Sequence, residues 1–408
     1  MDEKSDINLI ENQNQEIIKN QTNISKKRSS MEEKSSIYHI KKQLAVSKVI
    51  EPIDKYKSQI IPLEEELFSN LNLEWGVDII SEDIPLIDKK HDNYYCHMIR
   101  TANLDPNKNN FFLIHGFISS GMHFICLIPF LIKRYNIFIP DTIGMGLSSR
   151  PQIKFSTPIQ CEEYFISTYH IIIEYIFFKN KFNIKKEYYL CGHSLGGFIA
   201  SRYMLKYPKG IKKVLLLSPA GITDYYIPGT NMGSEISCSH YCASIFFSSL
   251  IYCCKLRIQN LYRCCCFHKM VKKAFGTYIF QIDEDEIKKN KDGTKFIVNK
   301  RKISEILGKL AIISLEYPDD LNECAFYLFA LPPPAAYNPN ERFIMSLNKI
   351  ETIFVFGKTD WMDKIGAFRL HQFNPDRYKF YTMSYGGHSF ALENPKELSL
   401  IINEHFEI

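Results

Sequence analysis

The stretch Tyr188-Tyr189-Leu190-Cys191-Gly192-His193-Ser194-Leu195-Gly196-Gly197 decides how this chain is read. A short apolar run leads into a glycine-flanked serine, and a helix-forming segment, Phe198 to Tyr207, follows. The core pattern, G-x-S-x-G, suits a serine pushed onto a tight strand-to-helix turn. Such a turn crowds the backbone, and Gly192 and Gly196 omit the side chains that would clash there. The helix aims its first amides back at the serine, so the N–H of Leu195 can face a developing oxyanion. A bare G-x-S-x-G occurs often by chance; the context gives this one weight. A second apolar run, Lys213-Val214-Leu215-Leu216-Leu217-Ser218, follows soon after Pro208 and completes a strand-helix-strand unit of a parallel sheet.

Upstream, Val77 to Ile80 and Tyr94 to Ile99 read as paired strands with a polar turn between them. Asn110-Phe111-Phe112-Leu113-Ile114-His115-Gly116-Phe117 is an apolar run of buried-strand length ending in His-Gly-Phe. A strand end in that place supplies the second oxyanion amide, assigned here to Phe117. Ile125 to Tyr135 predicts a helix, Asn136 to Asp141 another buried strand, and Cys161 to Phe178 a longer helix. Gly144-x-Gly146 is half of a nucleotide-binding fingerprint without its third glycine or its acidic residue, so a dinucleotide site is rejected. Asp141 is expected to tie down that loop.

Downstream, Thr352 to Gly357 is an apolar strand running into Lys358-Thr359-Asp360-Trp361-Met362-Asp363. Tyr378 to Met383 is the last strand; it leads into Gly386-Gly387-His388 and a closing helix from Pro395. Serine needs a base with a pKa near neutrality, and histidine is that base. A carboxylate on its other ring nitrogen fixes tautomer and orientation. The chain order Ser194, Asp360, His388 is the order of α/β-hydrolases. Asp363 is the rival acid. This chemistry calls for no cofactor and no metal.

The bulk numbers bound the rest. With 408 residues, 45% of them hydrophobic, the chain can bury a sizeable core. A net charge of +5 without a basic, aromatic-laced stripe argues against nucleic acid. The first twenty residues are polar and mixed in charge, which predicts no secretory leader, and Asp2 excludes N-myristoylation. No run reaches the roughly 20 apolar residues of a membrane span. The expectation is a cytoplasmic protein with reduced cysteines, with a peripheral place on membranes or lipid droplets left open.

The chain divides into a disordered or loosely helical polar tail (1–60), a first core part (61–221), a helical cap insertion (222–345) and a second core part (346–408). Trp75 reads as a core anchor or a membrane-interface contact. The insertion holds Cys238, Cys242, Cys253, Cys254, Cys264, Cys265 and Cys266 among bulky apolar and basic residues. Only Cys238 and Cys242 have zinc-ligand spacing, so zinc is set aside. An apolar cap packed on the core, a cap lying on a lipid surface, and S-acylation at Cys264 to Cys266 stay open. The basic run from Ile287 to Ile303 reads as a surface loop that could sit near anionic headgroups, and Pro332-Pro333-Pro334 as a stiff connector.

His115-Gly116-Phe117, Gly144 to Pro151, Gly192 to Gly197 and Gly387-His388 resemble the α/β-hydrolase superfamily. Phe354 to Asp363 and the place of the cap resemble its abhydrolase-domain-containing protein 4/5 branch. The resemblance covers roughly residues 75–225 and 346–408. It implies an α/β-hydrolase fold, a mostly parallel sheet flanked by helices with a helical cap, and lipid work. That work is hydrolysis of N-acyl phospholipids and lysophospholipids, or co-activation of a triacylglycerol lipase on lipid droplets. Co-activator members lack the nucleophile; here Ser194 is present, which favours an active serine hydrolase. The branch motif H-x4-D, linked there to lysophosphatidic acid acyl transfer, departs here: Glu393 stands where Asp would be. Acyl transfer to a lysophospholipid and a non-catalytic lipid-surface scaffold are the alternatives.

Overall fold

A computed structural model describes residues 53–86, 94–151, 155, 157–180, 184–222, 303, 306–310 and 349–406. The apolar runs become the strands of one sheet: β1 (Ile79–Pro85), β2 (Tyr95–Thr101), β3 (Asn109–Ile114), β4 (Tyr135–Pro140), β5 (Tyr188–His193), β6 (Ile211–Leu217), β7 (Glu351–Phe356) and β8 (Tyr378–Thr382). The order across it is β1-β2-β4-β3-β5-β6-β7-β8. From β4 to β8 neighbouring strands run parallel, while β1 and β2 pair antiparallel at one edge. Every residue of β3, β4 and β5 is buried, so these strands read as unbroken apolar runs and not as alternation. The helices are α1 (Ile53–Trp75), α2 (Ile128–Leu131), α3 (Pro158–Lys179), α4 (Leu195–Lys206), α5 (Ile365–Phe373), α6 (Phe390–Glu393) and α7 (Pro395–His405).

Three local expectations shift. Order begins inside the stretch read as polar tail, because α1 starts at Ile53. Ile60, Leu67 and Leu71 form one buried stripe on that helix. Pro62 lies on its exposed side, where water can satisfy the carbonyl left without a partner. The first strand runs from Ile79 and not from Val77, and it extends through Ser81, Glu82 and Asp83 to Pro85. It is an edge strand, and its acids pair with Arg100 and His97 of β2, so its polar residues disguise it. The helix expected over 125–135 shrinks to Ile128–Leu131, preceded by a 3₁₀ turn at Gly121–Phe124. Pro129 has no N–H to donate and can sit only in the first turn, so the helix begins beside it.

The connection from β6 to β7 carries the insertion. Most of it lies outside the described residues, including the cysteine cluster, the proline run and all but the last residue of the basic run, as does the Trp75 side chain. Its described part packs into the main core: Ile303, Ile306, Leu307 and Leu310 are buried with residues of α1 and of the central strands. Among the described residues no helix is long and apolar enough to cross a membrane.

Candidate active site

The C-terminal ends of the parallel strands bring the candidate residues together. Ser194 follows β5 at φ 53°, ψ −115°, a left-handed conformation that costs energy for any residue with a side chain. The neighbouring backbone leaves no alternative. A Cβ on Gly192 would fall 2.1 Å from the Gly196 carbonyl oxygen, and one on Gly196 would fall 2.2 Å from that of Ile114. The turn is anchored on both sides: Ser194 N–H donates to Leu217 O (2.9 Å), and Ala220 N–H donates to Ser194 O (3.0 Å). The serine hydroxyl caps no amide of α4.

The segment after β3 lies against this turn. A Cβ on Gly116 would sit 3.1 Å from the Ser194 Cβ and 3.0 Å from His193 Nδ1. His115 sets the orientation of the next peptide. Its Nδ1–H donates to Gly116 O (2.8 Å), while its Nε2 accepts the Thr142 amide (2.9 Å). Burial holds the His115 pKa below the ordinary histidine value, so this neutral bonding pattern persists. The Gly116–Phe117 peptide is thereby fixed, and with it the direction of the Phe117 N–H. Among the described residues, neither the Phe117 nor the Leu195 amide donates to a backbone carbonyl. Asp141 does what its loop position suggested: its carboxylate accepts the amides of Gly121 (2.6 Å) and Leu147 (2.7 Å).

From beyond the insertion come the acid and the imidazole. His388 Nδ1 lies 3.0 Å from Asp360 Oδ1. Asp360 also accepts the Met362 amide (3.0 Å) and the Ser218 hydroxyl. Its side chain is fully buried, which raises a carboxyl pKa, yet the bonds from His388, Ser218 and Met362 outweigh burial and hold it below the usual value. The rival Asp363 instead accepts the Ile365 amide (2.9 Å) at the start of α5. No hydrogen bond joins the Ser194 hydroxyl to His388 in this arrangement. The two are linked through His193, which adjoins Ser194: its ring lies 4.7 Å from that of His388, and its Nε2–H donates to His388 O (2.7 Å). The exposed indole of Trp361 covers another side of His388, ring centroids 4.8 Å apart.

Sequence reasoning missed Ser218, His193 and the brace supplied by Glu393, whose carboxylate accepts the Gly387 amide at 2.5 Å. Ser218 closes the apolar run of β6 at φ 42°, and a polar residue at that strand end was the only signal available.

Comparisons with known proteins agree with this architecture. Residues 109–234 match the family described as alpha/beta hydrolase fold. A probable 1-acylglycerol-3-phosphate O-acyltransferase from Oryza sativa subsp. japonica is 30% identical over 127 residues, 31% of this chain and 29% of that protein. A (lyso)-N-acylphosphatidylethanolamine lipase from Homo sapiens is 30% identical over 126 residues, 30% of this chain and 34% of that protein. The chain thus spans about a third of the length of these two curated relatives. The crystal structure of a membrane phospholipase A, described as a bacterial virulence factor, superposes with a TM-score of 0.54 at 16% identity, covering 86% of this chain and 93% of that one. Strand order, serine turn and matched segment together make this chain an α/β-hydrolase-fold protein, with lipid hydrolases and an acyltransferase among its relatives.

Proposed function

We propose that the protein is a serine hydrolase that cleaves acyl esters or amides of lipids. Ser194 attacks the substrate carbonyl. His388 accepts the serine proton on Nε2 and later returns it to the leaving group. Asp360 keeps Nδ1 protonated and the ring oriented. The amides of Phe117 and Leu195 receive the negative charge that develops on the carbonyl oxygen. Water, activated by the same histidine, then releases the acyl chain from the serine.

The observation that carries this reading is the His388–Asp360 pair at 3.0 Å, tied through His193 to the residue next to it, a serine held at φ 53°. Hydrogen bonds of this kind are often loose before substrate arrives, so a serine not yet bonded to the base fits the reading. The lipid class is supported by the names of the relatives, which act on lysophospholipids and N-acylphospholipids. A fluorophosphonate probe should label the wild type and leave Ser194→Ala unlabelled. An unlabelled wild type would instead favour a scaffold that recruits a lipase at a lipid surface.

The rice relative favours a second reading, in which a lysophospholipid and not water takes the acyl group. A fluorescent acyl-CoA assay separates the two: transfer exceeding hydrolysis would select the acyltransferase.

A further inference from the structure

His388 stands in a turn after β8, outside any helix or strand. A base placed so needs its backbone fixed by other means, since small misplacements cost large factors in rate. Three backbone polar groups of the loop, on two peptides, are held. Gly386 O accepts the Thr359 amide (3.1 Å) and hydroxyl (3.2 Å). Gly387 N–H donates to Glu393 (2.5 Å), and His388 O accepts the Nε2–H of His193 (2.7 Å). The loop also lies tight on β7, because a Cβ on Gly357 would fall 2.1 Å from Gly387 O.

His193 is the notable member. A carbonyl oxygen only accepts, so the proton sits on Nε2. Burial, with His123 and His388 close by, drives the His193 pKa well below the ordinary value, so Nδ1 is bare. Nδ1 is buried, faces Gly116 and has no hydrogen-bond partner among the described residues. The ring stacks on His123 at 4.2 Å. A phenylalanine of similar shape would stack there equally well and leave no nitrogen unpaired. Only the bond to His388 distinguishes the imidazole from that simpler filler.

We propose that His193 is a positioning residue: its Nε2–H clamps the His388 carbonyl, so the residue adjoining the nucleophile also sets the distance of the base from it. This rests on the hydrolase reading. Ser194 and His388 come from opposite sides of the insertion, and the clamp refers both to one side chain.

The test uses the full chain, with fluorophosphonate labelling, turnover of a p-nitrophenyl acyl ester, and thermal unfolding. Glutamine places its amide nitrogen at the reach of Nε2; asparagine places it at the reach of the unpartnered Nδ1. His193→Phe and His193→Asn should lose about 10²-fold in kcat with KM little changed. His193→Gln should stay within about fivefold of wild type. If His193→Phe does not fold, the glutamine and asparagine variants decide the matter alone. Wild-type kcat in the folded phenylalanine or asparagine variant overturns the clamp, as does a glutamine variant no faster than asparagine. A wild type that neither labels nor turns over ester removes the hydrolase reading, and the clamp with it. A labelled wild type matched by an equally fast His193→Phe removes the clamp only.

Discussion

His97 and His388 each meet an aspartate at 3.0 Å through Nδ1, yet their surroundings make them different groups. The second nitrogen of His97 faces Glu64 at 3.3 Å, and its side chain is 3% exposed. Burial alone would lower its pKa, but the bonds that it donates to Asp83 and Glu64 outweigh burial and raise the value to about 10. His97 is therefore a fixed cation that ties α1 to β1 and β2, with Lys57 closing the cluster on Asp83. His388 has one carboxylate; its other nitrogen meets no acid among the described residues, and its side chain is 13% exposed. One acid orients an imidazole; two acids overcome the opposing effect of burial and keep the ring protonated.

The comparison can be broken from either side. The largest effect belongs to His388→Ala, which should cut kcat/KM by about 10⁴-fold or more while the unfolding midpoint barely moves. Asp360→Asn should fall nearly as far, about 10⁴-fold, because the ring loses its tautomer. Asp363→Asn, which disturbs the start of α5, should stay near wild type, and full activity in Asp360→Asn would refute the assignment of the acid. At the other histidine the readout is stability. His97→Leu should lose about 3 kcal/mol in urea unfolding, since it strands a buried carboxylate, with turnover of the folded fraction intact. The smallest effect sharpens the contrast. A histidine with a raised folded pKa stabilises fully below its unfolded value of about 6.5, and that contribution fades as pH climbs towards about 10. Glu64→Gln removes one carboxylate, so the fading should finish at lower pH; an unchanged alkaline profile would show that Glu64 does not hold the proton.

What the sequence disclosed was what depends on near neighbours. The turn around Ser194 was legible because Gly192 and Gly196 stand two residues either side of it. The strand Asn109–Ile114 was legible because burial on both faces makes its stretch Phe111 to Ile114 continuously apolar. Asp360 outranked Asp363 by its place at a strand end, and the geometry pairs it with His388. The partnerships that were missed span long separations. Ser218 reaches Asp360, His193 reaches the His388 peptide, and Glu64 reaches His97, each across an interval in which no periodic signal links the partners. The start of α1 was hidden by its polar face and by Pro62, and β1 by the acids that its own partners neutralise.

β6 and β7 lie side by side, from Lys213 against Glu351 to Leu217 against Val355, although more than a hundred residues separate them in the chain. By logarithmic scaling, such a closure costs only roughly 2 kcal/mol more than a ten-residue link, so the finished protein hardly feels it. Its weight falls on time, because distant pairings form late. The serine can be mounted from local strands alone, whereas the proposed base and acid, His388 and Asp360, arrive with the last two. A newly made molecule would therefore stay chemically mute until the final docking event. During refolding, probe capture should lag behind recovery of the far-ultraviolet dichroism, and simultaneous recovery would contradict that order.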